Sequence, residues 1–335
     1  MTSASQLAKP LRLGTRGSLL ARTQSGHVAQ AVADLLGLPV TDAVAEVIIR
    51  TEGDDSTVPL TESKTPGLFV NALRDALLEG RVDFIVHSFK DLPSAGVLGI
   101  AMAAVPVRED LHDVLVSRDG LTLAQLPEGA VVGTSSPRRG AKLQFVRPDI
   151  LIRPIRGNVD TRISKVRSGE YDATVLAAAG MKRIGRFDEA SEILGLDVLL
   201  PAPAQGALAI ECRADDERTL SLLAKLNESQ ARLITTAERA VLVGVAATCS
   251  TAIGAVAEFA DGELTVTAEL SDPIPMSDGT GIEFERFSIS APISIALDEP
   301  EALSQAHQLG MYVAGQLMTT ELGQRIASQI AEERA

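Results

Sequence analysis

Tryptophan is absent, and aromatic residues make up only 3% of the 335-residue chain. That removes the stacking platforms on which single-stranded nucleic-acid binders depend. Cysteine is scarce as well: Cys212 and Cys249 are the only two, far short of a disulfide framework. The four histidines show no ligand spacing, so the sequence offers no metal site. No stretch approaches the ~20 consecutive apolar residues that a spanning helix needs. The N-terminal MTSASQLAKPLRLG lacks the apolar core of a signal peptide. Together these absences predict a soluble, cytoplasmic protein with no membrane partner.

Positive charge is also in short supply, except in one place. The chain carries a formal net charge of −13. Yet Thr134–Arg167 holds nine Lys or Arg against Asp149 and Asp160, a local +7 that leaves −20 for the remainder. Charge used for solubility is spread out, so a concentrated basic island points to an anionic ligand. Net acidity repels a polyanion at long range, and Phe145 is the only large aromatic in the island. A small carboxylate- or phosphate-bearing molecule therefore fits better than nucleic acid.

The first two-thirds of the chain alternate between strands and helices. Leu11–Thr15 reads as a strand entering a helix over Ser18–Leu36, and Val44–Arg50 as a second strand. Thr51–Pro66 is polar and aperiodic, the pattern of a surface loop or lid. A helix over Leu68–Glu79 and a buried strand Asp83–Ser88 follow. The plan then repeats: strand Ala130–Thr134, a Ser-capped helix start at Ser135–Arg139, strand Leu151–Ile155, a helix beginning at Asn158 or Thr161, and strand Ala173–Ala178. Both copies place Gly-Thr before a capped helix, whose free N–H groups suit an anion. Strand Ala207–Cys212, helices over 217–226 and 228–244, strands 263–270 and 284–290 and a helix from Pro300 predict a small α+β domain at the end.

Arg138 and Arg139 fall in the first turn of a helix, where a cation opposes the dipole at about 0.3–1 kcal/mol each. That position is poor for stability and good for binding an anion. Arg156 and Arg162 flank the Gly157-Asn158 turn, and guanidinium forks match carboxylates. Arg147, Lys165 and Arg167 read instead as surface ion-pair residues. Asp91 follows a buried strand, at the end where α/β sheets hold ligands; an Asp before Leu-Pro is also an ordinary turn former. His87 packs with the same strand. By its small neighbours alone, Cys249 reads as a small buried residue, as does Cys212.

Six segments then occur in a telling order: Gly14-Thr15-Arg16-Gly17-Ser18-Leu19-Leu20-Ala21, Val86-His87-Ser88-Phe89-Lys90-Asp91-Leu92-Pro93, Val132-Gly133-Thr134-Ser135-Ser136-Pro137-Arg138-Arg139, Arg156-Gly157-Asn158-Val159-Asp160-Thr161-Arg162, Pro203-Ala204-Gln205-Gly206-Ala207 and Ala237-Glu238-Arg239-Ala240. From about Leu11 onward the chain closely resembles the porphobilinogen deaminase (hydroxymethylbilane synthase) family. The resemblance implies an enzyme that joins four porphobilinogen molecules head to tail with release of ammonia. It implies a dipyrromethane primer held by a thioether to Cys249, which overturns the bland reading of that thiol. By motif, Asp91 is the catalytic carboxylate, and Lys90, Asp91, Ser136, Arg138 and Arg139 contact the cofactor. Arg16, Ser18, Arg156, Arg162, Arg183 and Gln205 serve the substrate and the growing chain.

The implied fold is α/β in three domains. Residues 1–106 with 207–225, and 107–206, form two periplasmic-binding-protein-like lobes flanking a cleft. Residues 226–335 form a small α+β domain carrying Cys249, and the family expectation is a monomer. Two departures from the family pattern stand out. Thr248 and Ser250 flank Cys249 where Gly-Cys-Gln is common. Pro66 replaces a lid lysine, with Lys64 nearby as its potential substitute.

Overall fold

The computed structural model describes residues 9–50, 70–248, 250–272, 282–297 and 299–334. The expected lid at 51–66, with Lys64 and Pro66, and Cys249 itself lie outside the described residues. The chain divides into two compact units, Met1–Arg108 with Ala207–Arg232 and Glu109–Gly206 with Leu233–Ala335.

The first unit is built on a five-stranded sheet of β1 (Leu11–Thr15), β2 (Val44–Ile48), β3 (Phe84–Ser88), β4 (Ile100–Ala104) and the returning β10 (Leu208–Arg213), in the order β2-β1-β3-β10-β4. β1 runs parallel to β2 and β3, whereas β10 is antiparallel to β3 and β4. Side chains alternate between the faces of a strand, so β3 serves two cores. Phe84 and Val86 pack with helix α1 (Leu19–Leu36) through Val28, Val32 and Ala33. Ile85 packs on the other face with helix α2 (Asn71–Leu78) through Leu73, Ala76 and Leu77.

The second unit opens with the same plan. β5 (Asp113–Ser117), β6 (Val131–Gly133), β7 (Leu151–Arg153), β8 (Ala173–Ala177) and β9 (Glu192–Leu194) form a sheet of order β7-β6-β8-β5-β9. β6 is parallel to β7 and β8, and β5 is the antiparallel strand, as β10 is in the first sheet. Helices α3 (Pro137–Val146), α4 (Val159–Arg167) and α5 (Ala178–Arg183) belong to this lobe. In both lobes the Gly-Thr glycine is required by close approach. A Cβ on Gly14 would stand 2.9 Å from Ile85, and one on Gly133 would stand 2.9 Å from Ile155 and from Tyr171.

The rest of the second unit is an α+β layer. After α6 (Glu217–Leu223) in the first unit, α7 (Ser229–Gly244) leads to an antiparallel meander of β11 (Ala252–Ala260), β12 (Glu263–Ser271) and β13 (Phe284–Pro292). Two helices, α8 (Pro300–Met318) and α9 (Glu321–Arg334), follow. Leu233, Val241, Val266, Leu270, Val313 and Ile326 are among its core residues. The architecture is thus α/β, with two lobes on one plan and a small α+β region.

Several boundaries differ from the sequence reading. β2 ends at Ile48, and β7 ends at Arg153 because Pro154 has no N–H for a ladder. α2 begins at Asn71, and α4 begins after the Asn158 cap, settling the choice between Asn158 and Thr161. The single C-terminal helix is two, broken where Thr320 Oγ1 accepts from Gly323 N at 3.1 Å. Strands β4, β5, β9 and β11 went unanticipated; β11, Ala-Ile-Gly-Ala-Val-Ala-Glu-Phe-Ala, is too rich in alanine and glycine to announce itself as a strand.

Candidate active site

Two groups of candidate residues lie at strand ends, one in each unit. In the first unit, β1 and β3 are parallel neighbours, so the turns that follow them share one edge of the sheet. Arg16 and Ser18 follow β1, with Ser18 capping α1 by accepting from Ala21 N at 3.3 Å. Lys90 and Asp91 follow β3 in a single 3-10 turn, Phe89–Asp91. Two bonds fix that turn: Phe89 N donates to Ala207 O at 3.0 Å, and Leu92 N donates to Phe89 O at 3.2 Å. Gln24 Nε2 on α1 donates to Ser88 Oγ at 2.9 Å, tying the two turns together. Phe89 and Leu92 are buried while Asp91 is exposed. A carboxylate held by buried neighbours and open to solvent is placed to meet a ligand.

Behind this edge lies a buried charge cluster that sequence reasoning missed. Glu211 on β10 accepts from Arg74 Nη2 at 2.6 Å and from Arg74 Nε at 3.0 Å. Burial pushes the Glu211 carboxyl up, but His87 and Arg74 outweigh it and hold it down at about 2. His87 Nε2 stands 3.3 Å from the carboxylate yet off hydrogen-bonding alignment, so the bidentate Arg74 is the firmer partner.

In the second unit the basic island resolves into different roles. Arg147, Lys165 and Arg167 pair with Asp149, Glu170 and Glu189, as expected of surface ion pairs. Lys142 is buried and pairs with Glu269 at 2.9 Å. Ser136 caps α3, accepting from Arg139 N at 3.4 Å. Arg138 and Arg139, 8% and 7% exposed, both turn onto Asp113, which is fully buried. Asp113 Oδ2 accepts from Arg138 Nη1 at 2.8 Å, and Oδ1 accepts from Arg139 Nη2 at 2.6 Å. The unfavourable placement expected of two cations at a helix start is therefore corrected by an acid from outside the island. Burial lowers the Arg138 guanidinium, Asp113 opposes this, and neighbouring Arg139 adds to it.

Arg156 and Arg162 flank the turn after β7, at the same edge, because β6 and β7 are parallel. Arg162 Nε donates to Gly157 O at 2.9 Å. Burial, then repulsion from Arg139, lowers Arg162 to about 10. Two buried arginines sharing one carboxylate, with Arg162 feeling the charge of Arg139, form a cationic site that an anion would relieve. This donor set fits a cofactor or substrate carrying several carboxylates.

The Pro203–Ala207 motif places Arg183 and Gln205. Arg183 Nη2 donates to Gly206 O at 2.7 Å, and burial lowers this guanidinium against the pull of Glu109. Gln205 is fully buried, and its amide donates to Asp113 Oδ1 and to Leu111 O at 2.9 Å each. It thereby braces Asp113. Gly206 has φ +88°, and a Cβ there would lie 2.3 Å from Glu109 O, so no other residue fits. Two motifs meet here as well. Glu238, fully buried, accepts from Ala204 N at 2.6 Å and from Ala257 N at 2.9 Å. It thereby holds Ala204 in its left-handed conformation, φ +62°.

Asp113, Glu211 and Glu238 were missed as individual functional residues. A charged residue in an otherwise apolar strand, as in Leu208–Arg213, was the available signal. Among the described residues no cluster of His, Cys, Asp and Glu could hold a metal ion. Cys212 is buried, and burial pushes its thiol up to about 11, an inert position.

The family model for "Porphobilinogen deaminase, dipyromethane cofactor binding domain" matches residues 11–221. Porphobilinogen deaminase 1 of Streptomyces coelicolor is 46% identical over 97% of this chain and 98% of its own. The chain belongs to the porphobilinogen deaminase family. Porphobilinogen deaminase 1 of Streptomyces avermitilis is 49% identical over 92% of this chain and 94% of its own. The porphobilinogen deaminase of Mycolicibacterium paratuberculosis is 45% identical over 94% and 95%. A Salmonella typhimurium periplasmic binding protein of high arginine specificity aligns over 65% of this chain and 92% of its own, at 15% identity and a TM-score of 0.37. Assignment to the porphobilinogen deaminases rests on the family model and the full-length relatives. They are enzymes, and the matched region is named for the dipyrromethane cofactor.

Proposed function

We propose that this chain joins four porphobilinogen molecules head to tail on a dipyrromethane bound through a thioether to Cys249, with one ammonia released at each addition, and that water then cleaves the bond to the dipyrromethane and releases hydroxymethylbilane. The observation that carries the reading is the cationic excess at the second sheet: two buried guanidiniums, Arg138 and Arg139, share the single carboxylate of Asp113. Each pyrrole of the substrate bears an acetate and a propionate, so this excess matches the ligand in kind. When bound, the dipyrromethane supplies the pyrrole carbon to which the first substrate is joined.

The chain's own residues divide the remaining work. Ser136, Arg138, Arg139 and Lys90 hold cofactor carboxylates by charge-assisted hydrogen bonds. Arg16, Arg156 and Arg162 receive the carboxylates of the incoming and growing chain, and Ser18 and Arg183 contribute at their margins. Asp91 opposes the positive charge that develops on the substrate ring as the aminomethyl nitrogen departs, and takes a proton as aromaticity is restored. The domains are 1–106 with 207–225, 107–206, and 226–335. The enzyme acts as a monomer on a small molecule in the cytoplasm. Among the described residues no helix is long and apolar enough to cross a membrane.

Intact mass under denaturing conditions tests the reading. The expected result is an excess of two linked pyrrole units, lost in Cys249→Ala. A bare polypeptide mass in a preparation that releases ammonia from porphobilinogen overturns it. A non-catalytic anion binder would release no ammonia at all.

A further inference from the structure

The two departures from the family pattern around Cys249 meet one carboxylate. Thr248 Oγ1 donates to Glu333 Oε2 at 2.9 Å. Ser250 Oγ reaches Glu333 Oε1 at 2.6 Å and Oε2 at 2.8 Å. The two hydroxyl oxygens stand 2.7 Å apart. A carboxylate accepts and each hydroxyl has one proton to give, so Thr248, Ser250 and Glu333 form one hydrogen-bonded cluster in which the hydroxyls donate to the carboxylate or to each other. On the inner side, Thr251 Oγ1 accepts from Thr248 N at 3.0 Å and closes the turn, and Thr251 N donates to Thr248 O at 3.3 Å.

Glu333 lies on the last turn of α9, remote in sequence from the loop it holds. Apolar packing of Val245 and Ala247 with Ile326 and Ile330 brings the start of the loop and α9 together. A cavity of about 410 Å³, lined by Gly244, Ala246, Met318 and Ile330 among others, lies between the end of α7 and α9. The polar bonds at Glu333 add to that packing at the end of α9. Glycine beside the cysteine, common in the family, offers no side chain to grip. Here threonine and serine supply two handles, and a C-terminal helix supplies the grip.

We infer that Glu333 is a positioning residue for the segment that carries Cys249: it clamps the residues on either side of the thiol and sets the loop for attachment of the primer. The inference rests on the proposed role of Cys249. It predicts opposite effects on two measurements. Glu333→Ala slows the gain of two pyrrole units by the full-length apoprotein incubated with porphobilinogen, read by denatured mass. The same change speeds alkylation of Cys249 by iodoacetamide, since the residues on either side of it lose their anchor and the negative charge held against them. Each effect is about fivefold, the size of one net hydrogen bond. Cys212, buried in β10, is the internal control for global opening and stays unmodified.

The decisive comparison is a background without handles, Thr248→Gly with Ser250→Ala. There Glu333→Ala changes neither rate, and in the original background Glu333→Gln, which keeps one accepting oxygen, gives intermediate rates. The clamp is overturned if Glu333→Ala leaves both rates within twofold of the original, or if its effect persists without the hydroxyls. Absence of pyrrole mass on the unaltered chain would instead count against the role of Cys249, and alkylation would still decide on the clamp.

Discussion

The two lobes bury a carboxylate on the same strand of the same plan, and put it to different use. Glu211 lies on β10 and Asp113 on β5, each the antiparallel strand fourth in its sheet. Glu211 is paired with Ile85, inside β3, and neutralises Arg74 beneath helix α2. Asp113 is paired with Ala177, the last residue of β8, and so reaches the edge where α3 begins. A shift of three residues along an equivalent strand converts a core ion pair into a support for two arginines at the start of α3. In the first lobe the edge is left to Asp91, which is exposed. One lobe therefore leaves an acid exposed at this edge, while the other buries its acid between two arginines.

The largest effect should come from Asp113. Removing one partner of a buried ionic network costs about 3–5 kcal/mol, because the remaining charges stay buried without compensation. Asp113→Ala leaves both Arg138 and Arg139 in that condition, together with the Gln205 amide. Urea unfolding should show the loss, and denatured mass should show a reduced fraction of chains carrying cofactor. Glu211→Ala should lose stability by a similar mechanism without reducing that fraction in the folded protein. Equal cofactor loss in the two variants would erase the distinction between the lobes.

Asp91→Asn should give the complementary result. Removing preorganised stabilisation of a developing charge commonly costs about 2.7–4 kcal/mol, or 10²–10³ in rate. An exposed side chain on a turn fixed by Phe89 and Leu92 contributes little to folding. Ammonia release should therefore fall by that factor while the unfolding midpoint stays within experimental error. A large loss of stability would mean that Asp91 belongs to the scaffold.

The sequence made the repeated α/β plan and the positions of the binding turns legible, because these depend on local signals. Gly-Thr before a capping serine marks β1 to α1 and β6 to α3, and Asn158 with its polar flanks marks α4. The motifs also named Arg138, Arg139 and Asp91. What they withheld was long-range pairing. Nothing local says that Arg138 meets Asp113, that Glu238 holds Ala204, or that Glu333 reaches Ser250 across 83 positions. Gln205 shows the consequence: its motif did not reveal that its buried amide donates to Asp113.

Acid should separate the scaffold carboxylate from the rest. Glu211 is held at about 2, against an ordinary value of 4.5. A group depressed in the folded state gives stability that is complete above its unfolded value and is lost as pH falls toward its folded value. The gap corresponds to about 3 kcal/mol at 1.36 kcal/mol per pH unit, shared with His87 and Arg74, the ionisable partners around it. Glu211→Gln removes the titration but leaves the shape. The stability difference between the original protein and Glu211→Gln should therefore be constant above about pH 5 and shrink steadily as pH falls toward about 2. A difference that does not change across that window would mean that Arg74 does not hold Glu211 ionised. The first lobe's carboxylate would then no longer be the core counterpart of Asp113.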